Sequence, residues 1–141
     1  MYRRGGGMTA TSTRRPFSIL VADDDSASRF ALRDIFEPAG FQTVLASDGE
    51  EALDIVQQQR IDIALFDVHM PKLTGIEALL LIRQFNLLLP VILITADSSD
   101  VVMRQAFQAQ AYSVIPKPVN KNIVLHTLTR ALGRAYGDAN R

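Results

Sequence analysis

FSILVADDDSAS, residues 17–28, runs from an apolar stretch straight into three carboxylates, Asp23, Asp24 and Asp25. The stretch Phe17–Ala22 is too short for a core helix and has the length and branching of a buried strand. Ala27, Ala31, Ile35 and Phe36 then recur at helical steps, and Gly40 follows as a C-terminal stop. A strand, an acidic turn and a helix are therefore encoded in about twenty residues. Adjacent carboxylates repel and resist ionising together, so the turn costs free energy unless something offsets it. Two readings compete: a solvated turn that caps the helix, and a bound cation.

The same unit recurs along the chain. Short apolar runs lie at Phe41–Ala46, Ile61–Phe66, Val91–Thr95 and Ala111–Ile115. Between them, helical spacing marks Ala52, Leu53 and Val56 after a cap at Ser47 or Asp48. It also marks Ile76, Leu79, Leu80 and Ile82 after Thr74, and Val102, Ala106 and Phe107 after Ser98 or Ser99. Asn120 opens the last helix, with Ile123, Val124, Leu128, Ala131 and Leu132. Strict β-α alternation predicts an α/β fold: a doubly wound, five-stranded parallel sheet with helices on both faces. The favoured strand order is 2-1-3-4-5, in which ligands bind beyond the carboxyl ends of the strands. That edge would gather Asp23, Asp24 and Asp25 from the first strand and Asp67 from the third. Thr95 from the fourth and Lys117 after the fifth would line its other side.

The chain has 141 residues, which suggests one domain. Residues 1–15 read as a disordered tail, 16–136 as the folded domain and 137–141 as a frayed end. Lys+Arg and Asp+Glu number 15 each, so no global basic field points to nucleic acid. The absence of cysteine excludes disulfides and thiolate sites and fits a cytoplasmic setting. No apolar run approaches the ~20 residues of a membrane span, and the glycine-rich basic N-terminus lacks the apolar core of a secretory signal.

Carboxylates with no Cys partner and no clustered imidazoles are hard oxygen ligands suited to Mg²⁺, with Mn²⁺ as the alternative. Such a cation would neutralise the acidic turn. Mg²⁺ commonly shares its shell with phosphate oxygens, and a lysine plus a hydroxyl supply the remaining needs of a phosphoryl group. Asp67 can serve as nucleophile as well as ligand, giving an aspartyl phosphate.

Four ordered segments carry a family resemblance: ILVADDDSASR (19–29), IALFDVHMPKLTGIEAL (63–79), PVILITA (90–96) and VIPKPV (114–119). The chain resembles the receiver domain of two-component response regulators, with the flavodoxin-like (βα)5 three-layer sandwich. The resemblance implies that Asp67 is the phosphoacceptor. It implies metal ligation by Asp23, Asp24, Asp67 and the backbone carbonyl of His69. Thr95, Ala96 and Lys117 would form the phosphoryl-binding and switch set, with a cis Lys117–Pro118 bond. The side chains of His69 and Asp97 would tune phosphoryl lifetime. Phosphorylation would shift a pre-existing equilibrium of the helix 4, strand 5, helix 5 face.

The implied partners are a sensor histidine kinase or a histidine phosphotransfer protein, and an output protein that the sequence does not name. Nucleic acid and membrane are not implied, and a homodimer through the last helices is an open option. The chain would be a single-domain regulator or a piece of a hybrid kinase or longer regulator.

Local assignments complete the expectation. Asp25 is a helix cap rather than a ligand, His126 a surface or interface residue and Lys72 a solvated one. Gly75 admits close packing or a positive φ. Thr74 stands where the family loop usually has an acidic residue, with little expected effect. The aromatic usual three residues before the last lysine is replaced by Val114. Tyr112 would share its face by strand alternation, so these two are the readout positions. Two other functions compete. One is a receiver used only for docking. The other is a haloacid-dehalogenase-like phosphatase, whose D-x-D pattern Asp23-Asp24-Asp25 satisfies but whose later acidic pair is missing.

Overall fold

The computed structural model of the protein describes residues 15–137. Most of the tail expected over 1–15 and most of the frayed end expected over 137–141 lie outside the described residues. Five strands, β1 (Ser18–Ala22), β2 (Gln42–Ala46), β3 (Ile63–Asp67), β4 (Val91–Thr95) and β5 (Ser113–Pro116), pair in parallel in the order β2-β1-β3-β4-β5. They alternate with α1 (Ser26–Phe36), α2 (Gly49–Gln58), α3 (Gly75–Arg83), α4 (Asp100–Gln108) and α5 (Lys121–Tyr136). This is the doubly wound topology expected from the alternation.

Burial explains the composition of each strand. Every residue of β1, β3 and β4 is buried, as central parallel strands require, and these are the most continuously apolar runs. The edge strands β2 and β5 are only partly buried and tolerate Gln42, Thr43 and Ser113. Alternate residues feed two cores. Leu20, Ala22, Phe66 and Leu93 meet Ala52, Leu79, Val102 and Ala106 on the face covered by α2, α3 and α4. Ile19, Val21, Leu65 and Ile94 meet Leu32, Phe36, Val124 and Leu128 on the face covered by α1 and α5.

Helix starts follow side-chain chemistry. Asp25, Asp48, Thr74, Ser99 and Asn120 each accept from a backbone N–H in the first turn of α1 to α5. Thr74 and Glu77 form a reciprocal capping box. Where two caps were open, Asp48 and Ser99 take the role; the neighbouring Ser47 N–H donates instead to Glu51 Oε1 at 2.7 Å. A 3-10 turn (Glu37–Ala39) follows α1, and Gly40 ends it at φ 99, in the left-handed region that glycine adopts without strain.

One expectation is corrected. Tyr112 and Val114 do not share a face: Val114 packs on the core beneath α2–α4, and Tyr112 on the core beneath α1 and α5. Alternation holds only within an extended strand, and β5 begins at Ser113, after Gln110 at φ 64. Lys72 also departs from a simply solvated role. It adopts φ 70 and lies 3.4 Å from Asp48 in an ion pair.

Candidate functional site

Strand register builds the site. Ala22 of β1 lies opposite Phe66 of β3, so Asp23 emerges beside Asp67. Asp67 lies opposite Ile94, and Thr95 opposite Pro116, which brings Thr95 and Lys117 to the same edge. Backbone bonds from Asp23 N to Ala46 O (3.1 Å), Val68 N to Ile94 O (2.9 Å) and Lys117 N to Thr95 O (2.8 Å) extend the sheet ladder into these loops.

Carboxylate oxygens of Asp23, Asp24 and Asp67 lie within 4.8 Å of one another. Asp23 and Asp67 are buried at 2% and 6% exposure, whereas Asp24 is exposed. Lys117 Nζ bridges the two buried groups, 3.1 Å from Asp23 Oδ2 and 2.9 Å from Asp67 Oδ2. Asp25 turns away: its side chain accepts from Ser28 N and Oγ, and its own N–H donates to Asp23 Oδ1 at 2.9 Å. The acidic triplet thus divides between both readings, with Asp25 as cap and Asp23 and Asp24 facing Asp67.

The electrostatics show why one ammonium is not enough. Burial is the main cause that raises the Asp23 pKa; the Asp25 N–H opposes it, Asp67 adds to it, and Lys117 only partly offsets it. Burial alone would lower the Lys117 pKa, but hydrogen bonds to Asp67 and Asp23 outweigh it and raise it. Both pKa values therefore move up: burial disfavours the Asp23 anion, whereas two carboxylate partners favour the Lys117 cation. The donor set is all oxygen and carries excess negative charge, which fits a hard divalent cation. Among the described residues this is one cluster, with no second acidic group of the kind a dehalogenase-like phosphatase requires.

The remaining candidates ring this centre. His69 N donates to Asp67 Oδ1 at 3.2 Å while its side chain is exposed. Thr95 is fully buried, and its hydroxyl donates to Asp97 O (3.0 Å) and accepts from Asp97 N (2.9 Å). Ala96 and Asp97 are exposed on the loop into α4, where Asp97 Oδ1 accepts from Ser99 N. The Lys117–Pro118 bond is cis. A Cβ at Gly75 would collide with the Asp67 backbone carbonyl, so close packing is the role of this glycine. Val114 and Tyr112 are half-buried and pack against the two cores, one on each, and His126 is exposed on α5.

Sequence reasoning assigned no role to Arg29. Its Nη1 donates to the Asp23 backbone carbonyl at 2.6 Å and so braces the acidic turn from the first turn of α1. A cation shortly after an acidic turn was the available signal. A groove of about 460 Å³ adjoins the site, lined by Ser28, Ala31, Ile35, Pro118 and Val119 together with Asp23 and Lys117.

Comparison with known proteins finds similar chains. The family profile described as response regulator receiver domain matches residues 19–129. The sensor histidine kinase RcsC of Escherichia coli is 36% identical over 120 residues, 85% of this chain and 13% of the kinase. The transcriptional regulatory protein CpxR of Escherichia coli is 36% identical over 118 residues, 84% of this chain and 50% of the regulator. The chain therefore spans half or less of these relatives. A solved CheX–CheY–BeF3–Mg²⁺ complex from Borrelia burgdorferi contains a similar chain, with TM-score 0.80 and 32% identity. The match covers 85% of this chain and 92% of that one. No helix of the described residues is long and apolar enough to cross a membrane.

Proposed function

The chain belongs to the response regulator receiver family, whose members are phosphoacceptor signalling modules rather than turnover enzymes, and on that footing we propose that Asp67 is its phosphoacceptor. The observation that carries this reading is Asp67 itself. It is a buried carboxylate at a strand end, within 4.8 Å of two others and 2.9 Å from a lysine amine.

The residues divide the chemistry. One Asp67 oxygen attacks the phosphorus of a phosphohistidine or acyl phosphate donor. The new O–P bond forms as the donor's P–N or P–O bond breaks, and the leaving group keeps that electron pair. Lys117 now hydrogen-bonds Asp67 Oδ2 and would follow the charge onto a phosphoryl oxygen. Thr95 would offer its hydroxyl once released from Asp97, and Ala96 presents no side chain to block approach. Asp23, Asp24, Asp67 and the His69 carbonyl are the groups that would hold Mg²⁺. That ion would neutralise charge on the phosphoryl oxygens. A carboxylate cluster with two buried members and surplus negative charge supports Mg²⁺, and the metal accompanying the B. burgdorferi CheY is of the same kind.

His69 and Asp97 flank the entry and would tune water access to the aspartyl phosphate. The donor would be a histidine kinase or a histidine phosphotransfer protein, acting in the cytoplasm, and the signal would pass through α4, β5 and α5 to a protein partner. Val114 in place of an aromatic makes that readout different in detail from the usual threonine–aromatic coupling.

Intact-mass measurement after incubation with acetyl phosphate tests the reading. One added phosphoryl group is expected on the wild type with Mg²⁺, and none without Mg²⁺ or on Asp67→Asn. No gain with any divalent metal would leave a docking module in place of a phosphoacceptor.

A further inference from the structure

A second pocket lies at the opposite end of the sheet. It measures about 300 Å³ and sits where the chain enters β4 and β5, against the last turns of α3 and α5. Leu88, Pro90 and Ala131 give it apolar walls, with Tyr112 alongside. Among the described residues, Arg83 and Arg134 are the charged ones that line it, and no carboxylate does.

Arg83 is unusual for a cation. It is half-buried, and its partners are neutral: Nη1 donates to Leu89 O (2.8 Å) and Asn86 O (3.2 Å), and Nη2 to Gln110 O (2.9 Å). Its Nε is buried with no acceptor at all. Burial lowers the guanidinium pKa, the signature of a charge without compensation. Arg134, next to it in the wall, is exposed. A buried or half-buried cation is ordinarily paired, and among the described residues this pocket supplies no counter-charge. The rim is apolar beyond the pocket itself: Leu87 and Leu88 are 69% and 86% exposed, and Phe85 is 49% exposed. Exposed apolar residues in such a run mark a contact surface.

We propose that this pocket and its leucine rim dock a partner-protein segment that carries a carboxylate beside leucine-like side chains. The carboxylate pairs with Arg134 and compensates Arg83. The apolar side chain enters between Leu88 and Ala131, and the flanking residues cover Leu87. Every lining residue lies at the amino ends of β4 and β5 or on the final turns of α3 and α5. Docking here is therefore spatially separate from the carboxylate edge and leaves it open.

Amide-detected NMR titration of the full chain with N-acetyl-leucine tests this. Shifts are expected at Leu88, Gln110, Tyr112 and Arg134, with a Kd of about 1–10 mM for so small a probe. N-acetyl-leucinamide, with the same body and no charge, should leave these amides unmoved. Arg134→Gln, whose spectrum reports that it remains folded, should weaken the probe at least fivefold. Acetyl-Leu-Leu-Leu with a free carboxylate should bind at least fivefold tighter than N-acetyl-leucine, and Leu87→Ser should remove that gain. Absence of shifts, equal shifts with the amide, or shifts confined to the carboxylate edge would overturn the proposal. Equal affinity of the two acids would overturn the partner-segment assignment.

Discussion

Lys117 Nζ lies 2.9 Å from Asp67 Oδ2 although the two residues are 50 positions apart, and the same ammonium lies 3.1 Å from Asp23 Oδ2. One cation thus holds two buried carboxylates together at the junction of three loops. It supplies part of the neutralisation that the acidic turn needs, and it competes for that role with any divalent ion.

Lys117→Ala should therefore split two properties that a general loss of structure would move together. Removing the ammonium leaves more negative charge, so the Mg²⁺ Kd should tighten by roughly threefold or more at low salt. The phosphorylation rate with acetyl phosphate should fall at least tenfold, because the phosphoryl oxygens lose their lysine. Metal titration and time-resolved intact mass check the two signs. Weaker metal binding would mean that Lys117 positions the carboxylates more than it competes.

Asp24 is the exposed member of the cluster and makes no ion pair among the described residues. Asp24→Ala should raise the Mg²⁺ Kd at least tenfold. It should also raise the metal-free melting temperature by roughly 2 °C, as repulsion with Asp23 and Asp67 is relieved. Melting of the metal-free protein at a lower temperature would show that Asp24 supports the fold.

A Cβ at Gly75 would meet the Asp67 backbone carbonyl, so only glycine leaves room there. Gly75→Ala should cost about 1–3 kcal/mol, as overpacking does in a closed site. Displacement of the Asp67 carbonyl should also slow phosphorylation, which denaturant unfolding and intact mass measure together. An unchanged rate in the folded variant would show that the α3 start and the acceptor are uncoupled.

Asp48 caps α2 by accepting from Glu51 N at 2.8 Å, and this bond is the main cause that holds its carboxyl below the usual Asp range. A depressed carboxylate pKa favours the folded state above the ordinary Asp range. That contribution is lost as pH falls through the depressed folded-state pKa, below the usual Asp range. Asp48→Ala should destabilise by about 1 kcal/mol near neutral pH, and the difference from wild type should shrink in acid. Asp48→Asn should retain much of the cap and flatten the acid limb of the stability curve. A pH-independent deficit in Asp48→Ala would assign the effect to packing.

Local features were legible from the sequence. Helix caps, the stop at Gly40 and the burial of β1, β3 and β4 depend on neighbouring residues and on period. FSILVADDDSAS already contains the strand, the turn and the cap. The strand order followed from alternation and handedness, which leave few ways to cover both faces of a parallel sheet. From that order came the meeting of Asp23, Asp24, Asp67, Thr95 and Lys117 at one edge.

Tertiary structure decided what depends on register and on exact chain direction. Asp23 and Asp24 look equivalent in sequence, yet one is buried against Lys117 and the other is exposed, because the chain turns between them. Tyr112 and Val114 look two residues apart on one strand, yet the strand starts between them and they enter different cores. Arg29 braces the acidic turn, and Arg83 gathers three carbonyls from two loops. Local propensity acts over one or two turns of chain and is readable in order. Contacts across tens of residues exist only once the sheet has set which loop ends lie side by side.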